Sequence, residues 1–115
     1  MPTTQLSRQA AENGTYIIDC AFADEDGTAV VPTSIVWSLM DLSGNVINNR
    51  QNVSVVPESS ITIVLTGDDL EINESIEAGL GRRMVLVEWV YDSTLGSGLP
   101  GKDAAFFEVV DLLSL

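Results

Sequence analysis

Read with a period of two, residues 82–93 place Val85, Val87, Trp89 and Tyr91 on one side and Met84, Leu86, Glu88 and Val90 on the other. The longest predicted strand is therefore apolar on both faces. The same alternation runs through 15–22, where Tyr16, Ile18, Cys20 and Phe22 oppose Thr15, Ile17, Asp19 and Ala21, and through 33–41, where Ile35, Trp37 and Leu39 oppose Val36, Ser38 and Met40. It is cleanest in 59–66: Ile61, Ile63 and Leu65 face one way, and Ser60, Thr62, Val64 and Thr66 the other. Further strands are predicted at 46–50, a polar edge, at 52–56 and at 102–110.

The breaks carry turn chemistry. "ADEDGT" (23–28) and "LSGN" (42–45) supply the Asp, Asn and Gly that tolerate positive φ, and "STLGSGLPG" (93–101) reads as a flexible loop joining the last two strands. Residues 67–81 lose the period of two, and Asp68 or Asp69 caps at most one short helical turn there. About seven strands at short intervals, with no long amphipathic helix, predict an all-β protein: an antiparallel β-sandwich with Trp37 and Trp89 in its interior. The organisation expected is an N-terminal arm (1–13), one domain (14–111) and an apolar tail (112–115).

A length of 115 residues with 45% apolar content suits one domain burying roughly two-thirds of its unfolded surface. Five Lys+Arg against 17 Asp+Glu give a formal charge of -12, a field that repels phosphate backbones and anionic lipid, so neither nucleic acid nor a membrane surface is an expected partner. The apolar runs fall far short of the ~20 residues that cross a bilayer. The first residues lack the apolar core of a secretion signal, so synthesis in a cytoplasm is expected and the Asn-x-Ser/Thr triplets at Asn13, Asn52 and Asn73 are chance matches.

Candidate chemistry is sparse. There is no histidine, which removes the commonest general base and metal ligand. Cys20 is the only cysteine and shares the core register of its strand, so it reads as a buried thiol. "DEDG" (24–27) and the 68–71 carboxylates match no calcium loop and are explained by turns and capping. No catalytic, cofactor or metal residue is therefore assigned.

What remains is surplus apolar surface. Val36, Met40, Met84, Leu86, Val90, Phe106 and Val110 fall in the register opposite to the core, and the tail adds Leu112, Leu113 and Leu115. Either the arm, the 67–81 loop or a curl of the sheet covers them, or another subunit does, since open apolar patches beyond a few hundred Å² are uncommon on monomers. The partner surface expected comprises Val36, Met40, Met84, Leu86, Phe106, Leu112, Leu113 and Leu115, with Arg82 and Arg83 available to dock a carboxylate.

With Trp37 on an early strand, a Gly-rich segment before the last strand and no cysteine pair, the chain resembles immunoglobulin-like sandwiches of the non-disulfide kind over about residues 14–111. It lacks the tyrosine corner, because Tyr91 ends its strand. More narrowly, "IVWSLMDLSGNVINN", "SSITIVLTGDDLEI", "RRMVLVEWVYDS" and "FFEVVDL" are similar to small β-sandwich proteins among the structural genes of tailed bacteriophages. That resemblance implies a non-enzymatic virion protein: a capsid decoration or cement protein, or a head–tail accessory. It would be present as a homo-oligomer or in many copies and bind major capsid, connector or tail subunits without a cofactor. Two other classes stay open: an immunoglobulin-like binding module of a bacterial surface or secreted protein, for an adhesin or carbohydrate role, and a small enzyme or Ca²⁺ protein using the acidic turns.

Overall fold

The computed structural model describes residues 3–5, 9–72 and 80–110. Its strands are β1 (Thr3–Gln5), β2 (Ala10–Ala11), β3 (Thr15–Ala21), β4 (Ser34–Asp41), β5 (Val53–Val55), β6 (Ser60–Thr66), β7 (Leu80–Ser93) and β8 (Gly96–Val110), with one 3-10 turn at Gly67–Leu70. The large sheet runs β1-β8-β7-β4-β5, with β2 also on β8, and β3 and β6 pair antiparallel as a second sheet. Counted from β3, the first and fourth strands form one sheet and the second, third, fifth and sixth the other. The two sheets face each other across one core, as the layers of a β-sandwich do. The fold is thus the all-β sandwich expected.

One part of the large sheet is not antiparallel. β1 and β2 run parallel to β8, with Thr3 opposite Ala104 and Ala10 opposite Val109. Both pieces belong to the segment expected as an arm; stretches of two or three residues take strand geometry from the neighbour they pair with, and Ala10 of β2 is also buried in the core.

The core follows the alternation. Ile35, Trp37 and Leu39 of β4, Val85, Val87 and Trp89 of β7, and Phe107 and Val109 of β8 meet Tyr16, Ile18, Ile61, Ile63 and Leu65 from the small sheet. Two aromatic contacts tie the sheets together: Tyr16 stacks on Phe107 at 4.6 Å, and Phe22 meets Trp89 edge-on at 5.1 Å. Trp89, expected beside Trp37, takes Phe22 as its ring partner, while Trp37 lies under the Arg50 guanidinium at 5.9 Å.

Two predicted elements differ. Residues 46–50 form no strand beyond a single bridge from Val46 to Met40, because Asn48 and Asn49 both adopt positive φ (53° and 57°) and turn the chain. Residues 93–101 are mostly strand: only Thr94 and Leu95 turn, and β8 begins at Gly96. The glycines that suggested a loop have cross-strand reasons. Gly98 takes φ 67° and donates its N–H to Asp92 Oδ1 at 2.8 Å, beside a register shift between Tyr91 and Ser93. Gly101 lies opposite Trp89, where a Cβ would sit 2.3 Å from the indole. The resulting hairpin outruns β4, whose pairing ends at Val90, and draws the molecule out to 52 Å against 24 and 22 Å.

Arg83 faces inward. Continuing the β7 alternation backwards from Val85 puts it on the core side, opposite Phe107, where it is 2% exposed. It donates to the Arg82 and Glu71 carbonyl oxygens, both at 2.9 Å. A second polar group, Asp69, is fully buried at the end of the 3-10 turn. Its carboxylate accepts from Asn48 Nδ2 (2.8 Å), Arg50 Nε (2.8 Å), Arg50 Nη2 (3.3 Å) and the Thr66 N–H (3.1 Å), pinning the 46–52 segment to the sandwich.

Candidate functional site

The outward face of the large sheet is built from three strands in fixed register. Met40, Met84 and Phe106 form one row across β4, β7 and β8, and Ser38, Leu86 and Ala104 form the next. Then come Val36, Glu88 and Lys102, followed by Ser34, Val90 and Pro100. Pleating makes these positions share a face, since residues two apart point the same way. Two ion pairs across β7 and β8 flank its Met- and Phe-bearing centre: Arg82 Nε to Glu108 Oε2 on one side, and Lys102 Nζ to Glu88 Oε2, in the row of Val36, on the other, each 3.5 Å. Gln9 Nε2 also donates to Glu108 at 3.0 Å. Towards the hairpin the face hollows into an open concavity of about 470 Å³ between Val36, Glu88, Val90 and Pro100.

Of the expected interface residues, Val36, Met40, Met84, Leu86 and Phe106 share this face, and all five are half-buried. The curl of the sheet and neighbouring side chains already shelter part of each. Val90 is likewise half-buried, while Val110 is buried at 9% exposure. Arg82 is at the rim with its side chain 64% exposed. Arg83 leaves the interface, because its guanidinium is committed to backbone carbonyls inside the fold. Leu112, Leu113 and Leu115 lie outside the described residues.

The charge pattern sets the same face apart. Among the described residues, Arg50 is held by Asp69 and Arg83 is buried, so the two well-exposed cations, Arg82 and Lys102, both stand on it. The rest of the described surface is dominated by carboxylates. Asp24 Oδ1 accepts the N–H groups of Asp26 (2.9 Å) and Thr28 (3.0 Å), and Glu25 Oε1 accepts the hydroxyls of Tyr91 and Ser93 (both 3.2 Å). The carboxylates of Asp24, Glu25 and Asp26 lie within 4.8 Å of one another, but turn formation and a tether to the hairpin account for two of the three.

A second place was not legible as a site. On the flank where β3 passes β8, a cavity of about 150 Å³ opens between Ile18, Cys20, Phe22, Val85, Val87 and Asp103. Asp103 is opposite Val87, hence on the inward face, and burial pushes its carboxyl above the ordinary value. Cys20 is half-buried beside it, and burial, then Asp103, then Asp19 push its thiol up to about 11. That is the reverse of an activated nucleophile. In the sequence Asp103 sits between Lys102 and Ala104 and looks like an ordinary surface acid. The signal was its place on the inward register of β8, hidden because that part of the strand was read as only just beginning.

No protein-family model matches the chain, and neither a curated protein nor a solved structure shows significant similarity to it.

Proposed function

We propose that this chain is a non-enzymatic structural protein of a tailed-phage virion, a capsid decoration or cement protein or a head–tail accessory, which grips neighbouring subunits through the outward face of its large sheet. The observation that carries the reading is the apolar stripe of Val36, Met40, Met84, Leu86 and Phe106, its centre flanked by two ion pairs. An apolar centre rich in Met and aromatic side chains inside a polar rim is the anatomy of protein–protein contacts. The charge of -12 disfavours nucleic acid and anionic lipid as partners, which leaves protein. The raised Cys20 thiol speaks against nucleophilic catalysis.

Magnitude bears on copy number. Three strands about 4.8 Å apart, with rows from Arg82 to Val90 rising about 3.3 Å per residue, span on the order of 400 Å². A specific contact buries about 800 Å² per partner, so this face alone holds weakly. Many weak contacts repeated on a symmetric shell bind firmly through effective concentration, which suits a many-copy virion component.

The test is to mix purified protein with heads and tails lacking it and sediment the particles. Wild-type protein is expected to pellet with one of them, and Met84→Lys, folded and monodisperse, to stay in the supernatant. Wild-type protein that pellets with neither overturns the reading.

A further inference from the structure

Among the described residues, β3 has a strand neighbour on one side only. Phe22 donates to Ser59, and the ladder with β6 continues through Cys20–Ile61, Ile18–Ile63 and Tyr16–Leu65, so in an antiparallel pair these residues direct their N–H and C=O groups towards β6. Ile17, Asp19 and Ala21 direct theirs the other way, to a side where no strand pairs. All three side chains are exposed, and no backbone group of a described residue pairs with this edge. In an immunoglobulin-like sandwich a first strand commonly lies on the B and E sheet. Here the N-terminal strands β1 and β2 are committed to β8 instead, so no described strand takes the place beside β3.

The cavity beside this edge is shaped for side chains. Ile18, Phe22, Val85 and Val87 make its walls apolar, and about 150 Å³ admits a benzene-sized group. Asp103 stands in the same wall, half-buried, with no hydrogen bond or salt bridge to any described residue. Asp19 lies on the edge itself, hydrogen-bonded through Thr62 Oγ1 at 2.9 Å. A half-buried carboxylate on an apolar wall, with no hydrogen-bond donor among the described residues and only the charge of the chain's N-terminus acting on it, is favourable once a further cation reaches it.

We propose that the free edge of β3 receives an extended, cationic segment of a partner protein as an added strand, with one basic side chain at Asp103 and its apolar neighbours in the adjoining cavity. Main-chain hydrogen bonds to Ile17, Asp19 and Ala21 supply the affinity, and the alternate side chains supply the selectivity, as in strand addition generally. A second copy of this chain is a poorer occupant, because two bodies each carrying -12 repel. The proposal rests on residues separate from the outward stripe of the large sheet, so each reading can fail without the other.

The probe is a capped seven-residue peptide of alternating threonine and valine with lysine at its centre, against the same peptide with central glutamate. Amide exchange is followed by NMR on the intact wild-type protein. At saturating lysine peptide the N–H groups of Ile17, Asp19 and Ala21 are expected to exchange at least about tenfold more slowly, as a newly paired edge does. The glutamate peptide should leave them unchanged, and Asp103→Asn should abolish the difference between the two. No slowing at these amides, slowing at Met40 and Met84 instead, or protection that rises with protein concentration before any peptide is added would each overturn the proposal.

Discussion

Asp69 and Asp103 are both carboxylates turned towards the interior of the sandwich, and their surroundings have opposite character. Burial pushes Asp69 up, but hydrogen bonds from Arg50, Asn48 and the Thr66 N–H outweigh it and hold the group below the ordinary carboxylate range. Asp103 feels the burial without the donors and lies above that range. A buried carboxylate surrounded by donors is part of the structure; one without them keeps a cost that a donor or a cation brought to it removes. The difference separates a knot that fastens the 46–52 segment from a flank that has room for something else.

Trp37→Ala tests the knot hardest. It empties a core position and takes away the ring beneath Arg50, and is expected to cost about 3 to 5 kcal/mol in denaturant unfolding. Asp69→Ala strands the Thr66 N–H, Asn48 and Arg50, and should cost about 1 to 3 kcal/mol by the same measurement. A loss no greater than that of an exposed carboxylate such as Asp68 would break the comparison.

Titration sharpens it, because the two groups act with opposite sign. Asp69 binds its proton more weakly folded than unfolded, so its contribution is complete above the ordinary carboxylate pKa and is lost as pH falls through the lowered value. Asp103 binds its proton more tightly when folded, so it costs stability as pH rises through its raised value and costs nothing in acid. Asp103→Asn should therefore melt higher than wild type at about pH 7, with the gap closing on acidification. The smallest effect belongs to the outward face. Met84→Lys should shift unfolding by only about 0.5 kcal/mol, since its long stem still lies along the sheet, while abolishing particle binding.

Much of the fold was legible. Strands 15–22, 33–41 and 59–66 appear where alternation put them, because their inner and outer faces meet different solvents. Residues 46–50 break the strand pattern because Asn48 and Asn49 take left-handed geometry and Asn48 is tied to Asp69, a contact 21 residues distant. Residues 93–101 misread because a glycine in a strand is spelled like one in a loop; only the indole of Trp89 above Gly101 tells them apart. Arg83 was available from the alternation that placed Val85 and Val87 inside, but the general rule that arginine stays on the surface prevailed. The outward stripe was found by register. The Asp103 flank was not, since it depends on β3 lying across β8, and no local pattern announces a pairing left unmade.

Thr3 pairs with Ala104, so the first and last of the described strands are side-by-side neighbours. The β7–β8 hairpin closes across two residues and can zip within microseconds, whereas β1 and β2 must bridge almost the whole polypeptide. During synthesis β1 and β2 emerge before the other described strands, and β8, which they join, emerges after them. Docking of β1 and β2 on β8 is therefore expected to follow closure of that hairpin, and until it happens that border of β8 stays open to foreign strands.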